Sequence, residues 1–142
     1  MRNLKYMGAI VAMVGLCGCA SDPIAAVPGY SSALGGYAVF FGHDKADIDP
    51  AAATTIRQAA EGFKAGRFTS VAVIGHTDTT GTGSHNQTLS ECRAAAARAE
   101  LIKDGVPVER ILTAGAGETA PHVQTWDMTT EENNRRVMIV FQ

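Results

Sequence analysis

From Tyr37 onward, short apolar runs alternate with segments whose apolar positions repeat every three to four residues. Tyr37-Ala-Val-Phe-Phe41 has the aromatic and β-branched content of a strand. Asp49-Pro50 then reads as a cap and a first-turn proline. Ala52, Ile56, Ala59, Ala60 and Phe63 recur at helical spacing until Gly66 stops them. Ser70-Val-Ala-Val-Ile74 is apolar enough for a strand in the middle of a sheet. The chain turns polar and glycine-bearing from His76 to about Gly83. A second helix, rich in alanine, is predicted over Gln87 to Asp104, with Leu89, Cys92, Ala96, Ala99 and Ile102 on or near one face; Gly105 and Pro107 end it. Ile111-Leu-Thr-Ala114 and Val137-Met-Ile-Val-Phe141 are the last two strands. The order β-α-β-α-β-β predicts an α/β (α+β) fold, a two-layer sandwich of a mixed four-stranded sheet with two helices on one face. The stretch from Glu118 to Asn133 is long for a loop in a compact domain, which marks it as functional or mobile.

The first 36 residues follow another logic. Arg2 and Lys5 precede an apolar run from Met7 to Leu16, and Leu16-Cys17-Gly18 leads into Cys19. A basic start, an apolar middle and a small-residue exit are the layout of a secretory signal peptide. The run is too short to span a bilayer as a helix, which takes about 20 residues. Its exit resembles a bacterial lipobox, where the signal is cut just before a cysteine that carries lipid. Residues 1–18 are therefore expected to be a lipoprotein signal peptide and Cys19 the site of lipidation. The other reading is an ordinary signal peptide cut near Gly18 or Ala20. Acyl chains on Cys19 would hold the chain on a membrane, each buried methylene adding about 0.8 kcal/mol. Residues 19–36 are rich in Ser, Gly, Pro and Ala without a helical or strand period, as a flexible linker is. Ile24, Val27 and Tyr30 are the groups through which part of it would instead pack on the domain, 37–142.

Composition narrows the function. Removing residues 1–18 takes away Arg2 and Lys5 and no acid, so the formal charge moves from −2 to −4. That balance argues against nucleic acid or anionic lipid as a bulk partner. Cys17 leaves with the signal and Cys19 is the expected lipid carrier, so Cys92 is left as a single thiol. One thiol makes no internal disulfide, and a domain of about 100 residues can rely on its apolar core.

The densest polar stretch runs from Gly75 to Ala94, out of the second strand and into the second helix. An acid at a strand end, a glycine-bearing loop and a cation two turns into a helix describe a pocket. Asp78 and Arg93 can converge there on one ligand bearing both an ammonium and a carboxylate. Arginine suits the carboxylate because its planar fork makes two parallel hydrogen bonds, and the helix start adds backbone N–H groups. The alternative is that Asp78 and Arg93 pair with each other and pin loop to helix.

Gly75, His76, Thr77, Asp78, Gly81, Thr82, Asn86, Leu89, Ser90, Arg93 and Ala94 stand at unbroken spacing in this stretch. Gly115, Gly117, Glu118 and Pro121 form a later cluster, and Asn134-Arg135-Arg136-Val137 a third. Together they resemble the signature of the OmpA C-terminal-like peptidoglycan-binding domain, shared by peptidoglycan-associated lipoproteins (Pal) and flagellar stator proteins. The resemblance covers about Tyr37 to Phe141. It implies a non-catalytic domain, without cofactor or metal, that grips the diaminopimelate of the wall's stem peptide. Asp78 and Arg93 would be its two clamps, with Thr77, Asn86, Leu89 and Ser90 around them. It also implies an outer-membrane lipoprotein anchored through Cys19, with its domain in the periplasm, tying membrane to wall. Ala20 stands where Asp commonly retains such lipoproteins in the inner membrane. The alternative is an adaptor in a larger envelope complex of Tol–Pal, secretion or motor type. Two positions depart from the signature: His85 stands where Tyr usually precedes the Asn, and Phe41 is followed by Gly42-His43-Asp44 rather than directly by an acid.

The remaining features point elsewhere only weakly. His76, Asp78 and His85 lack the spacing of a metal site. Cys92 sits mid-helix among alanines, as small core cysteines do. Gly115-Ala-Gly117 lacks the third glycine of a nucleotide fingerprint and reads as a strand bend. Arg135 and Arg136 must point to opposite faces of the last strand, one toward the pocket and the other solvated or paired. Trp126 is either an exposed contact for a partner or a lid on the core.

Overall fold

The structure, a computed structural model, describes residues 36–66 and 68–142. The elements are β1 (Gly36–Phe40), α1 (Pro50–Ala65), β2 (Val71–Gly75), α2 (Gly83–Lys103), β3 (Ile111–Gly115) and β4 (Arg136–Phe141), with 3-10 turns at Val108–Arg110 and Glu132–Asn134. The expected signal peptide, the lipidation of Cys19 and the linker up to 35 lie outside the described residues; Gly36 already belongs to β1.

Local chemistry sets the start of α1. The Asp49 carboxylate accepts from the Ala52 N–H at 2.7 Å, and Pro50 fills a first-turn position where no N–H is needed. The five residues predicted for its apolar stripe, Ala52, Ile56, Ala59, Ala60 and Phe63, are the ones it buries. The sheet order is β1-β4-β2-β3. β2 and β3 are parallel with α2 as their crossover, whereas β4 inserts antiparallel to both β1 and β2. The sheet is mixed, as expected. Val71 and Val73 of β2 and Val137, Ile139 and Phe141 of β4 join Ile56, Phe63 and Leu101 in the core under the helices. By strand alternation Ala72, Ile74, Arg136, Met138 and Val140 point to the other face.

α2 departs from the reading of the sequence. It begins at Gly83, ahead of Gln87, because the Thr82 hydroxyl accepts from the His85 N–H at 3.2 Å and caps the polar segment. It buries Asn86, Ser90, Arg93, Ala94, Ala97 and Leu101, whereas Leu89, Cys92 and Ala96 are half-buried and Ala99 and Ile102 exposed. Contact with the sheet is the cause. A methyl on Gly75 would overlap the Ser90 carbonyl, and one on Gly115 would lie 2.6 Å from the Ser90 hydroxyl. The helix thus lies directly on two strand ends. Its first half faces them with polar side chains that bond the backbone there, and an apolar pattern does not reveal such a face. Among the described residues no helix is long and apolar enough to cross a membrane.

Candidate ligand site at the β2–α2 loop

Asp78 leaves the end of β2 and is the hub of the site. One carboxylate oxygen accepts from the backbone N–H of Thr80 at 3.2 Å and from the Thr80 hydroxyl. The other accepts from the Glu131 N–H at 3.3 Å and from Arg135 Nη1 at 3.2 Å. Burial alone would raise the Asp78 pKa. The Thr80 hydroxyl, Arg135 and the two backbone donors outweigh it and hold the carboxyl below its ordinary 3.8. Asp78 is therefore ionised at neutral pH although only 4% exposed.

Arg93 is fully buried and ties α2 to two other chain segments, the loop after β1 and the end of β2. Its Nε donates to the Lys45 carbonyl at 2.8 Å, Nη1 to His76 at 2.9 Å and Nη2 to Gly42 at 3.1 Å. The guanidinium also lies 5.4 Å from the centre of the Phe41 ring. Burial pushes its pKa down to about 10, opposed by the charges of Asp78 and Asp44 and aided by that of Arg135, so it stays a cation at neutral pH. A guanidinium has five N–H groups, and these bonds use three of them, leaving one on each Nη. The direct Asp78–Arg93 pair, one of the two readings of the sequence, is replaced by Asp78–Arg135.

The other candidate residues cluster around this pair of charges. Asn86 is buried and donates to the Asp78 carbonyl at 3.3 Å and to Glu118 at 2.5 Å. The Ser90 hydroxyl donates to the Gln87 carbonyl at 2.7 Å and accepts from the Gly117 N–H at 2.9 Å, which ties α2 to the end of β3. The Thr77 N–H donates to the Gly117 carbonyl at 2.9 Å, while its buried hydroxyl has no hydrogen-bond partner. Leu89 is half-buried on α2.

Sequence reasoning passed over Thr79, Thr80 and Glu131, and left Arg135 and Arg136 undivided. Arg135 is the one at the site: it holds Asp78 and donates through Nε to the Phe41 carbonyl at 3.1 Å. Arg136 is also buried, on the opposite face, and is not solvated. Thr79 fastens the long loop to the site. Its hydroxyl donates to the Trp126 carbonyl at 2.7 Å and accepts from the Thr129 N–H at 3.1 Å, and its carbonyl accepts from the Met128 N–H at 3.0 Å. The loop after Glu118 is thus pinned beside Asp78. Trp126 on it is 89% exposed, so it does not cover the core. Among the described residues no group of three His, Cys, Asp or Glu side chains is placed to hold a metal ion.

The OmpA family model matches residues 40–136, and the chain belongs to the OmpA family. The peptidoglycan-associated lipoprotein of Mesorhizobium japonicum is 32% identical over 153 aligned positions, which cover 96% of this chain and 90% of that protein. An outer membrane protein of Gluconacetobacter diazotrophicus is 37% identical over 111 positions covering 74% of this chain; the chain spans 29% of that longer relative. Among solved structures, the peptidoglycan-associated lipoprotein from Burkholderia pseudomallei matches with a TM-score of 0.68 at 26% identity, over 75% of this chain and 90% of that one.

Proposed function

We propose that this protein is an outer-membrane lipoprotein, anchored by lipid on Cys19, whose periplasmic domain binds peptidoglycan non-covalently and ties membrane to wall. The observation that carries the reading is the buried, ionised Asp78 at the start of the β2–α2 loop, within electrostatic reach of the buried cation Arg93. Such a pair suits a ligand side chain that ends in both an ammonium and a carboxylate, as diaminopimelate does. On this reading Asp78 draws the ammonium, and the loop must open over the fully buried Arg93 before the two N–H groups left on it can meet the carboxylate. Thr77 adds a hydroxyl without a partner, and Asn86 and Ser90 hold the loop in place. Support also comes from the name of the Mesorhizobium relative, matched over nearly its whole length.

Retention on purified sacculi tests the reading. Wild type should be retained, and Asp78→Asn, which keeps the shape but removes the charge, should be lost to the supernatant while remaining folded by circular dichroism. Equal retention of the two sinks the proposal. Calorimetric titration then tests the ligand. A lysine-type stem keeps the ammonium but leaves Arg93 without its carboxylate, and a site built for a polar group rejects an analogue lacking it strongly. Diaminopimelate-type fragments should bind clearly and lysine-type ones weakly.

A second reading rests on Trp126 and Met128, exposed 89% and 67% on the pinned loop. An apolar pair held rigidly beside the site suits a protein partner, as in an adaptor of a Tol–Pal, secretion or motor complex. Loss of cross-linking to envelope proteins in Trp126→Ser, with sacculus retention intact, is the outcome that favours it.

A further inference from the structure

The chain's single tryptophan, Trp126, is 89% exposed, and Met128 near it is 67% exposed. An apolar side chain scattered on a surface needs no explanation, but the backbone that carries this one is fixed. Thr79 holds it by three bonds. Its hydroxyl donates to the Trp126 carbonyl at 2.7 Å and accepts from the Thr129 N–H at 3.1 Å, and its carbonyl accepts from the Met128 N–H at 3.0 Å. Two residues further on, the Glu131 N–H donates to Asp78 itself at 3.3 Å. Met128 takes φ of 58° between these bonds, a left-handed conformation that a long side chain rarely adopts. Strain of this kind persists only where the surroundings impose it, and it gathers at ligand sites. The segment from Trp126 to Glu131 is therefore a fixed rim of the Asp78 site that presents an indole to solvent.

Size and charge narrow what meets the rim. An indole offers about 150–250 Å² of contact, whereas a stable protein interface takes roughly 800 Å² from each partner. A sugar ring matches the smaller figure. One face of a pyranose is a set of C–H groups, which the negative face of an aromatic ring attracts. Its hydroxyls lie around the edge and need acceptors and donors. Asp127 and Thr130, both exposed, flank Met128 and Thr129 and supply them. Asp127, Glu131 and Glu132 also make the rim acidic, which sets it against anionic lipid. A ligand group seated at Asp78 has this rim as its neighbour, and in peptidoglycan that group is joined through the stem peptide to a sugar strand.

We propose that the domain reads the glycan as well as the stem peptide, with a sugar ring of the wall stacked on the Trp126 indole and its hydroxyls bonded by Asp127 and Thr130. The proposal rests on the reading of Asp78 and Arg93 as the stem-peptide site and adds a second contact to the same ligand.

The test uses the single tryptophan as its own reporter. The folded protein is titrated with two diaminopimelate-type probes, a disaccharide-tetrapeptide and the same tetrapeptide freed of its sugars, by calorimetry and by indole emission. The sugar-bearing probe should bind about fivefold more tightly or better and shift the emission saturably, and the free peptide should leave the emission near its starting value. Trp126→Ala removes an exposed side chain and stays folded; in calorimetry it should bind both probes with the affinity of wild type for the free peptide. Trp126→Phe keeps an aromatic face and should retain part of the gain. Equal affinity of the two probes for wild type, or a gain that survives Trp126→Ala, overturns the proposal, leaves the stem-peptide reading standing and returns Trp126 to a protein partner. Failure of wild type to bind either probe overturns both.

Discussion

His85 Nε2 lies 2.6 Å from an Asp44 carboxylate oxygen, joining the first turn of α2 to the loop after β1. These are the two places where the chain departs from the family signature. His replaces Tyr, the acid stands two residues later than usual, and the replacements meet each other. Asp44 takes φ of 51° to do so, a left-handed conformation that aspartate tolerates better than most side chains. Both side chains are more than half exposed, so solvent screens the pair. Asp44→Asn or His85→Ala should therefore cost less than about 1 kcal/mol in urea unfolding, with the difference shrinking in salt. Sacculus retention in these variants should change little, because the pair sits at the rim.

Arg93 stands at the other extreme. Removing it leaves the carbonyls of Gly42, Lys45 and His76 without donors in a buried place, so Arg93→Ala should lose on the order of 3–5 kcal/mol of stability. Arg93→Lys cannot reach three carbonyls with one ammonium and should lose a substantial part of the same. Thermal unfolding checks both. Ligand binding by either variant is informative only at temperatures where it is folded; a Tm within a degree or two of wild type contradicts the role.

The contrast between the helices shows what the sequence discloses. α1 was legible to the residue, because its cap, its proline and its buried stripe are all local signals. The strands were legible as apolar runs, and their ends shifted by one residue. The buried face of α2 was not, since Asn86, Ser90 and Arg93 are buried for their bonds to backbone that is distant in sequence. Asp78 and Arg93 were singled out by type and offset. Arg135 could not be told from Arg136 because its partner is 57 residues away, and Thr80 was hidden because a threonine after an acid carries no pattern of its own.

Gly75 and Gly115 are paired across β2 and β3, and both touch α2. Gly75→Ala drives a methyl into the Ser90 carbonyl, which is backbone and cannot rotate away. The helix must lift, and the bonds at Asn86 and Arg93 lift with it. A loss of about 3 kcal/mol or more is expected, at the upper end for overpacking. Gly83, whose nearest neighbour would be a flexible Glu118 oxygen at 3.9 Å, is the control: Gly83→Ala should be tolerated, as thermal melts of the two will show.

His76 makes stability depend on pH in a stated direction. Its pKa falls from 6.5 to about 4 on folding, so the unfolded chain takes the proton more readily than the native one. The contribution is complete above pH 6.5 and is lost as pH falls through 6.5 toward 4. Between pH 7.5 and pH 5 this group alone should lower stability by about 2 kcal/mol. Its neighbours include Arg136, whose positive charge opposes protonation of the ring, and His122. Urea unfolding of wild type and His76→Asn at both pH values measures the slope, which should largely vanish in the variant.

On the proposed reading, the ligand's ammonium must find a carboxylate that is already engaged. Asp78 already accepts four hydrogen bonds, which is about the capacity of a carboxylate. Two come from backbone N–H groups and one from buried Arg135, none of which can turn aside without moving the chain or unpairing a charge. The fourth comes from the Thr80 hydroxyl, on a half-buried side chain that rotates about one bond. On the proposed reading, that hydroxyl occupies the place the ammonium takes, and binding begins with its rotation. Thr80→Val keeps the shape and removes the competitor. A net hydrogen bond contributes about 0.5–1.5 kcal/mol, so the variant should bind diaminopimelate-type fragments roughly two- to tenfold more tightly. The same change should raise the Asp78 pKa, since the hydroxyl is the largest of the groups that lower it. Calorimetry and an acid titration of the two proteins read these effects separately. Weaker binding by Thr80→Val, with the pKa raised as expected, would mean that the hydroxyl positions the carboxylate for the ligand instead of competing with it.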